Sequence, residues 1–447
     1  MKALLKQVTA IAALLVTGAG TATATGAPVW RDCYDGLSCT GIEVPADWDH
    51  PDGGATVTVP LLRIPARERK LGTLLVNPGG PAQSIPLFAV PGFRDQFTDL
   101  AARFDVVVFD PRGLDVTCPA PAPAPLPGPL TESAYDAYAA ANAKFAADCT
   151  AAAGAARGHL GAGQVARDLD AIRTRLGESR LNYFGSSYGT VYGQEYAARF
   201  GARVGRMYLD SVLDHTRPDP AAWARAGAVT AEHNLFRLAS WCAADAGCAL
   251  HGRDVIAVWD RLLATPSAGL VVAWAAARIG NDRSRPELAA GLAAAEAGDT
   301  SAMTPRPAPP DARLARSALC ADFPAPDGFP AAKRVEAELR AAAPRLGWAV
   351  HPWRVSGHCA GLPRTGLNPP AGLPPMPRVL VANGEDDPLT PAEHGRRVAA
   401  QLHGRYLTAA GGHALYLRGN ACVRGHVHRW LWDGERPPAG TRCGSAD

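Results

Sequence analysis

The sequence has no long apolar run after its N-terminus and no excess of charge of one sign. Of its 447 residues, 45 are Lys or Arg and 42 are Asp or Glu, so the formal net charge is +3. A membrane-spanning helix needs about 18 consecutive apolar residues, and nucleic-acid binding needs a concentrated basic face. We therefore expect no nucleic-acid partner and no membrane span in the mature chain.

Metal-binding motifs are missing as well. The sequence contains no CxxC pair and no HExxH helix, which are spacings typical of zinc sites. His426 and His428, near the C-terminus, are interpreted as surface residues rather than ligands. We expect no metal and no other cofactor.

Residues 1–27 have the pattern of a signal peptide. Two lysines near the start precede an apolar stretch at 8–16, and the Ala-Thr-Ala at 22–24 offers the small side chains that signal peptidase requires. An ordinary first helix is the alternative. The pattern predicts that the mature protein is secreted.

The ten cysteines agree with export, because disulfides persist in oxidising compartments. The connectivity does not follow from the sequence alone. Closeness in sequence suggests three pairs, and a guess at the rest adds two, with metal binding as the alternative use. The five expected disulfides are Cys33–Cys39, Cys242–Cys248, Cys422–Cys443, Cys118–Cys149 and Cys320–Cys359.

Short apolar runs alternate with helical segments in the first half of the chain. Helices are expected near 133–152, 164–176 and 190–200, the second of them from apolar residues at helical spacing. Strands are expected at 56–64, 72–76, 104–109, 180–184, 204–209, 378–382 and 405–408. The alternation predicts an α/β fold with a mostly parallel sheet flanked by helices.

The middle of the chain interrupts this alternation. Residues 215–375 are Ala-rich and mostly helical, with Pro-rich joints at 304–310 and 363–377 that suit hinges or linkers. The flanking parts, 28–214 and 376–447, are both needed to complete the sheet. We therefore interpret the middle as an inserted helical cap, with an independent second domain as the alternative.

The strongest chemical signal is Gly185-Ser186-Ser187-Tyr188-Gly189. It matches the G-x-S-x-G pattern of a nucleophile elbow, in which a serine lies on a tight turn between a strand and a helix. The pattern alone is weak, but an apolar strand precedes it and a helical segment follows. Ser187 is therefore the candidate nucleophile.

A serine hydroxyl needs a histidine base, which a carboxylate in turn orients. An acid and then a histidine follow the serine in the chain, each in a loop after an expected strand: the acidic run 385–387 and His413. His413 could instead be an ordinary loop histidine, and the acids could cap a helix. The spacing does not choose among Glu385, Asp386 and Asp387.

The same chemistry needs two backbone N–H donors for the developing oxyanion. One is expected from Tyr188, the residue after the nucleophile, and the other from the loop after an earlier strand. The segment 77–81, Asn-Pro-Gly-Gly-Pro, is that loop, and Gly80 is the candidate donor. A plain Gly-Pro turn is the alternative.

Taken together, these motifs resemble the secreted tripeptidyl-aminopeptidase-like α/β-hydrolases, relatives of prolyl aminopeptidase. The resemblance covers nearly the whole mature chain and is weakest in the cap. The matching stretches are NPGGP at 77–81, FDPRG at 109–113, YFGSSYGT at 183–190, MYLDSVLD at 207–214, ANGEDDPLTP at 382–391, GGHALY at 411–416 and the tail at 422–443.

The resemblance implies that Asp387, directly before Pro388, is the acid of the triad. It also implies a Cys422–Cys443 disulfide and a peptide substrate with a free N-terminus. Relatives usually carry another Gly at the position of Ala82, and the alanine here is expected to narrow or reshape the site.

Aminopeptidases of this family bind the substrate amine with acids in or near the cap. Candidates here are Glu232, Asp210 and Asp214, although the pattern favours an ordinary helix-surface or strand-end acid at each position. An esterase or amidase acting on a small acyl compound with the same triad is the first alternative function. A non-catalytic binding protein on the same fold is the second.

Overall fold

A computed structural model describes residues 26–118, 120–123, 126, 129–303, 314–349, 357–362, 372–376 and 378–445. Most of the expected signal peptide, the Pro-rich joint at 304–310 and most of the joint at 363–377 lie outside these residues.

Ten strands form one sheet in the order β1-β2-β3-β5-β4-β6-β7-β8-β9-β10. The pairs from β5 through β10 are parallel, and the three pairs at the other edge are antiparallel. The predicted α/β fold with a mostly parallel sheet is confirmed. The strands are β1 (Arg31–Tyr34), β2 (Leu37–Pro45), β3 (Thr56–Ile64), β4 (Thr73–Asn77), β5 (Asp105–Phe109), β6 (Leu181–Ser186), β7 (Val204–Asp210), β8 (Val379–Gly384), β9 (Arg405–Ala409) and β10 (Arg442–Cys443).

Helices cover both faces of this sheet. Three short helices, α1 to α3, lie in the connection from β4 to β5. The helices are α1 (Ile85–Phe88), α2 (Pro91–Arg94), α3 (Leu100–Arg103), α4 (Glu132–Ala152), α5 (Ala162–Arg175), α6 (Gly189–Phe200), α7 (Pro220–Ala244), α8 (Val255–Leu263), α9 (Ala268–Ala276), α10 (Arg285–Glu296), α11 (Ala315–Asp322), α12 (Gly328–Ala342), α13 (Ala392–Leu402) and α14 (Ala421–Asp433).

The central strands are buried on both faces, which explains their unbroken apolar sequence. Every residue of β4 and of β8 is buried. Side chains of a strand alternate between faces, so Leu75 packs into the core formed with α5 and α6, whereas Leu74 packs into the core on the α14 side. Both faces of a parallel sheet are normally buried under helices, as they are here.

The long helical segment separates two strands that are neighbours in the sheet. β7 and β8 pair in parallel, with Met207 opposite Val379, although α7 to α12 lie between them in sequence. None of the helices in the described part of the chain is both long and apolar enough to cross a membrane.

Five disulfides join the ten cysteines in the pairs expected from the sequence. Two of them fasten helices of the long segment: Cys242–Cys248 closes the end of α7, and Cys320–Cys359 ties α11 to the residues after α12. The other three are Cys33–Cys39, Cys118–Cys149 and Cys422–Cys443.

Candidate active site

Ser187 lies on a sharp turn between β6 and α6. Its φ is +53°, a left-handed conformation that is costly for a residue with a side chain. A Cβ on Gly185 would lie 2.5 Å from the Gly189 carbonyl oxygen, and one on Gly189 would lie 2.4 Å from the Asn77 carbonyl oxygen. Both glycines are therefore required by the close approach of strand, helix and the loop after β4.

The loop after β4 packs directly against this turn. A Cβ on Gly79 would lie 2.7 Å from Ser187 Cβ and 3.1 Å from the backbone nitrogen of Tyr188. The N–H of Gly79 already donates to Asn77 Oδ1 at 3.0 Å. The next residue, Gly80, has φ +124°. Because the N–H of Gly79 is engaged, Gly80 remains the candidate donor in this loop.

His413 and Asp387 are hydrogen bonded to each other. The distance from His413 Nδ1 to Asp387 Oδ2 is 2.7 Å, and Asp387 is fully buried. The other carboxylate oxygen, Asp387 Oδ1, accepts the N–H groups of Leu389 at 2.9 Å and Thr390 at 3.1 Å. These bonds fix the carboxylate, and they leave Nε2 of His413 as the ring nitrogen available to a serine.

The two neighbouring acids are engaged elsewhere. Glu385 holds Arg442 through two bonds of 2.7 Å, and Asp386 Oδ1 lies 2.8 Å from Arg237. The helix that follows, α13, has no side-chain cap at its N-terminus, so the acidic run does not serve as its cap. Of the three consecutive acids, Asp387 is the one in contact with His413.

Thr390 is a further member of this cluster that the sequence did not single out. Its hydroxyl donates to Asp387 Oδ2, and its Oγ1 lies 3.1 Å from His413 Nδ1. A threonine three residues after the acid is a weak signal, because Thr also occurs in loops for its backbone hydrogen bonds. The hydroxyl adds a donor to the carboxylate oxygen that receives the histidine.

The two charges of the dyad stabilise each other. Burial alone would lower the pKa of His413, but the carboxylates of Asp387 and Asp210 outweigh it and raise that pKa above its ordinary value. Burial alone would raise the pKa of Asp387, but His413 and the donors of Thr390 hold it below its usual value. An imidazolium formed during reaction is therefore favoured at this position.

The acids expected to bind a substrate amine have partners within the chain. Glu232 accepts the N–H of Leu346 at 2.9 Å and of Arg345 at 3.1 Å. Asp210 is completely buried and accepts N–H groups from the segment after His413, while Asp214 pairs with Arg397 at 2.9 Å. All three carboxylates thus have structural roles in this structure.

The long helical segment also reaches the loops of the dyad. A Cβ on Gly280 would lie 2.3 Å from Pro388 Cδ, and one on Gly412 would lie 1.9 Å from the Gly280 carbonyl oxygen. Beside this contact is a cavity lined by His413 and Asp387 that also includes Arg418. A loop of the segment therefore forms one wall next to the histidine.

One group in the described ranges has the spacing of a metal site: Cys422, His426 and Cys443. The two cysteines are joined in a disulfide, so their sulfur atoms are not thiolate ligands. The group does not offer the donor set of a zinc centre.

The chain is similar to one known protein family and to three known proteins. The sequence model of the family described as "alpha/beta hydrolase fold" matches residues 72–419. Serine protease Hip1 of Mycobacterium tuberculosis is 29% identical, with 94% of this chain and 91% of that protein covered. Carboxylesterase B of the same species is 29% identical, with 95% and 92% covered. Tripeptidyl aminopeptidase of Streptomyces lividans is 28% identical, with 93% and 86% covered.

Proposed function

The chain belongs to the alpha/beta hydrolase fold family, and on that premise we propose that it is an exported serine peptidase that releases short peptides from a free N-terminus. The observation that carries the proposal is the bond of 2.7 Å between His413 and the buried Asp387, in a chain whose only G-x-S-x-G turn holds Ser187 at φ +53°. Similarity to a serine protease and a tripeptidyl aminopeptidase supports the peptide substrate.

In the proposed reaction Ser187 Oγ attacks the carbonyl carbon while His413 Nε2 takes its proton. Asp387 keeps the ring oriented through Nδ1 and stabilises the imidazolium. The N–H groups of Gly80 and Tyr188 bind the oxyanion. His413 then gives the proton to the leaving amine. Water attacks the acyl group while His413 takes its proton, and His413 returns a proton to Ser187 Oγ as the acyl group leaves.

Two further parts of the proposal concern the whole chain. Residues 215–375 act as a cap that limits access to Ser187, which the contact of Gly280 with the loops of the dyad supports. Residues 1–27 direct export and are removed, which the five disulfides support.

The test compares Ser187→Ala with Ser186→Ala. In the described part of the chain the Ser186 hydroxyl is buried and has no hydrogen-bond partner, so its removal is a matched control. Substrates are a tripeptide anilide with a free amine, its N-acetylated form, a proline anilide and a short-chain acyl ester. We expect wild type and Ser186→Ala to cleave the free-amine tripeptide, and Ser187→Ala to lose at least about 10⁴-fold in kcat. Full activity of Ser187→Ala would refute the proposal.

An esterase acting on a small acyl compound is a second candidate. It is favoured by the internal partners of Glu232, Asp210 and Asp214, and by similarity to a protein named carboxylesterase B. Turnover of the ester with all three anilides untouched would select it. Inertness of wild type on all four substrates would favour a binding protein.

A further inference from the structure

The side chain of Tyr188 is tied to the long helical segment. Tyr188 follows the candidate nucleophile and is buried, with 1% of the residue exposed. Its hydroxyl donates to Oδ2 of Asp322, the last residue of α11. The ring also packs edge-on against Phe323, with centroids 5.9 Å apart. The residue that supplies an oxyanion N–H is thus held at its far end by residues 134 or more positions away.

The second carboxylate oxygen of Asp322 binds a core helix. Oδ1 accepts the N–H of Ala162 at 2.8 Å, at the first residue of α5. Gly161, at the N-cap position, offers no side chain for this purpose. A carboxylate at a helix N-terminus satisfies a free donor and interacts favourably with the helix dipole. Asp322 therefore connects α5, α11 and the turn of Ser187.

The backbone of Asp322 is held by a buried ion pair between His215 and Glu195. His215 Nε2 donates to the Asp322 carbonyl oxygen at 2.7 Å, and Nδ1 lies 3.0 Å from Glu195 Oε1. Burial alone would lower the pKa of His215, but Glu195 and Asp322 outweigh it and raise that pKa. Glu195 in turn binds Arg199 at 3.1 Å. Each of these contacts restricts where Asp322 can lie.

We propose that Asp322 is a positioning residue for the oxyanion site: by holding the Tyr188 hydroxyl, it fixes the Tyr188 N–H at the turn of Ser187. The proposal rests on the proposed serine-hydrolase function. Misplacement of a catalytic group by a fraction of an ångström is costly, because the donor must be aimed at the oxyanion before the reaction begins. The long helical segment thereby supports the catalytic site through Asp322, in addition to contacting the loops of the dyad through Gly280.

The test removes one oxygen atom with Tyr188→Phe, which retains both the ring and the backbone N–H. Tyr196→Phe is the matched control, because Tyr196 lies on α6, whose N-cap is Tyr188, and its hydroxyl also donates to a carboxylate, Asp170, at 3.1 Å. One readout is the rate at which a fluorophosphonate labels Ser187, which requires no knowledge of the substrate. The others are kcat and KM on a substrate whose turnover Ser187→Ala abolishes.

We expect Tyr188→Phe to lower the labelling rate and kcat about tenfold, with KM within about twofold of wild type. Asp322→Asn should lower the labelling rate and kcat to a similar extent. In the double variant Tyr188→Phe/Asp322→Asn, neither value should fall further than in either single variant. Tyr196→Phe should label at the wild-type rate. Wild-type labelling of Tyr188→Phe, or equal loss in Tyr196→Phe, would overturn the positioning role. Failure of wild type to label at Ser187 would overturn the proposed function itself, and the positioning role with it.

Discussion

The backbone carbonyl of Asp210 accepts a hydrogen bond of 2.9 Å from the N–H of Ser187. The carboxylate of the same residue accepts the N–H groups of Leu415 at 3.2 Å and Tyr416 at 2.9 Å, just after His413. One residue at the end of β7 therefore holds the serine turn with its main chain and the histidine segment with its side chain. Burial raises the pKa of Asp210 to about 6, and its bonds to Tyr416, Leu415 and the nearby His413 oppose that shift.

This relationship gives Asp210→Asn a specific expected result. An amide offers one oxygen where the carboxylate offers two, so one of the two N–H groups loses its acceptor and the histidine segment shifts. We expect kcat on the free-amine tripeptide and the rate at which a fluorophosphonate labels Ser187 to fall together, by about tenfold or more. Steady-state kinetics and labelling kinetics check this. If Asp210 bound the substrate amine instead, KM for the free-amine tripeptide would rise while the labelling rate stayed at the wild-type value. Glu232→Gln, at the other candidate acid, serves as the comparison.

Asp387→Asn tests which of the three consecutive acids orients the histidine. An asparagine cannot hold the same tautomer of His413, and in serine proteases this change costs about 10⁴-fold in kcat. Glu385→Gln removes the ion pair with Arg442, and Asp386→Asn removes the one with Arg237 and alters an acceptor of the Gly411 N–H. Neither acid contacts His413, so both variants should retain kcat within a few-fold. Measuring kcat for the three variants decides the matter. A larger loss in Asp386→Asn than in Asp387→Asn would contradict the assignment.

The dependence of activity on pH follows from the raised pKa of His413. Only the neutral imidazole can accept the serine proton, so kcat/KM should rise with pH through a value above the ordinary 6.5 and be lost below it. In Asp387→Asn the main stabilising charge is gone, and the acidic limb should move to lower pH. A profile of the rate of Ser187 labelling against pH, recorded for both proteins, provides the measurement. An unchanged acidic limb in the variant would show that another group controls it.

The same raised pKa also has a consequence for stability. A group that binds its proton more tightly in the folded state favours folding at low pH, so His413 contributes fully below about pH 6.5. This contribution is lost as pH rises through the folded-state pKa. His394 behaves in the opposite way, because burial lowers its pKa to about 4.

Local patterns in the sequence were sufficient to predict the central strands and the loops that follow them. β3 spans the expected residues 56–64, and β4 to β9 agree with the expected strands within two residues, because buried parallel strands are short apolar runs bounded by Gly and Pro. β1, β2 and β10 were not predicted. β1 is mostly exposed and has no apolar pattern, β2 alternates between buried and exposed residues only near its end, and β10 has only two residues. Their pairing depends on neighbours that a local window does not contain.

The partners of buried acids were beyond the same reasoning. No local sequence pattern distinguishes the roles of Asp210, Glu232 and Asp322. Their roles differ because each carboxylate accepts hydrogen bonds from donors more than 100 positions away. The choice among the three acids near position 387 required resemblance to a family, since consecutive residues share their periodicity. Thr390 was missed for a related reason: its contact with His413 joins two loops that only the sheet brings together.

A final prediction concerns the buried pair Arg112–Asp168, which lies within the FDPRG stretch and helix α5. Arg112 is fully buried, binds Asp168 through Nε at 2.7 Å and Nη2 at 2.5 Å, and donates to the carbonyl of Pro45 at 3.0 Å. Arg112→Leu leaves a buried carboxylate without its partner, so we expect the free energy of unfolding to fall by about 3–5 kcal/mol. Urea denaturation measures this change.

Two comparisons separate the charge of Asp168 from simple loss of packing. The double variant Arg112→Leu/Asp168→Leu removes both charges, and it should recover much of the lost stability because no unpaired carboxylate remains. Lys144→Gln breaks an exposed pair with Asp148 and should cost less than about 1 kcal/mol. If the double variant were no more stable than Arg112→Leu alone, the cost would lie in the hydrogen bonds to the carbonyls of residues 45 and 46, which both variants lack, rather than in the uncompensated charge.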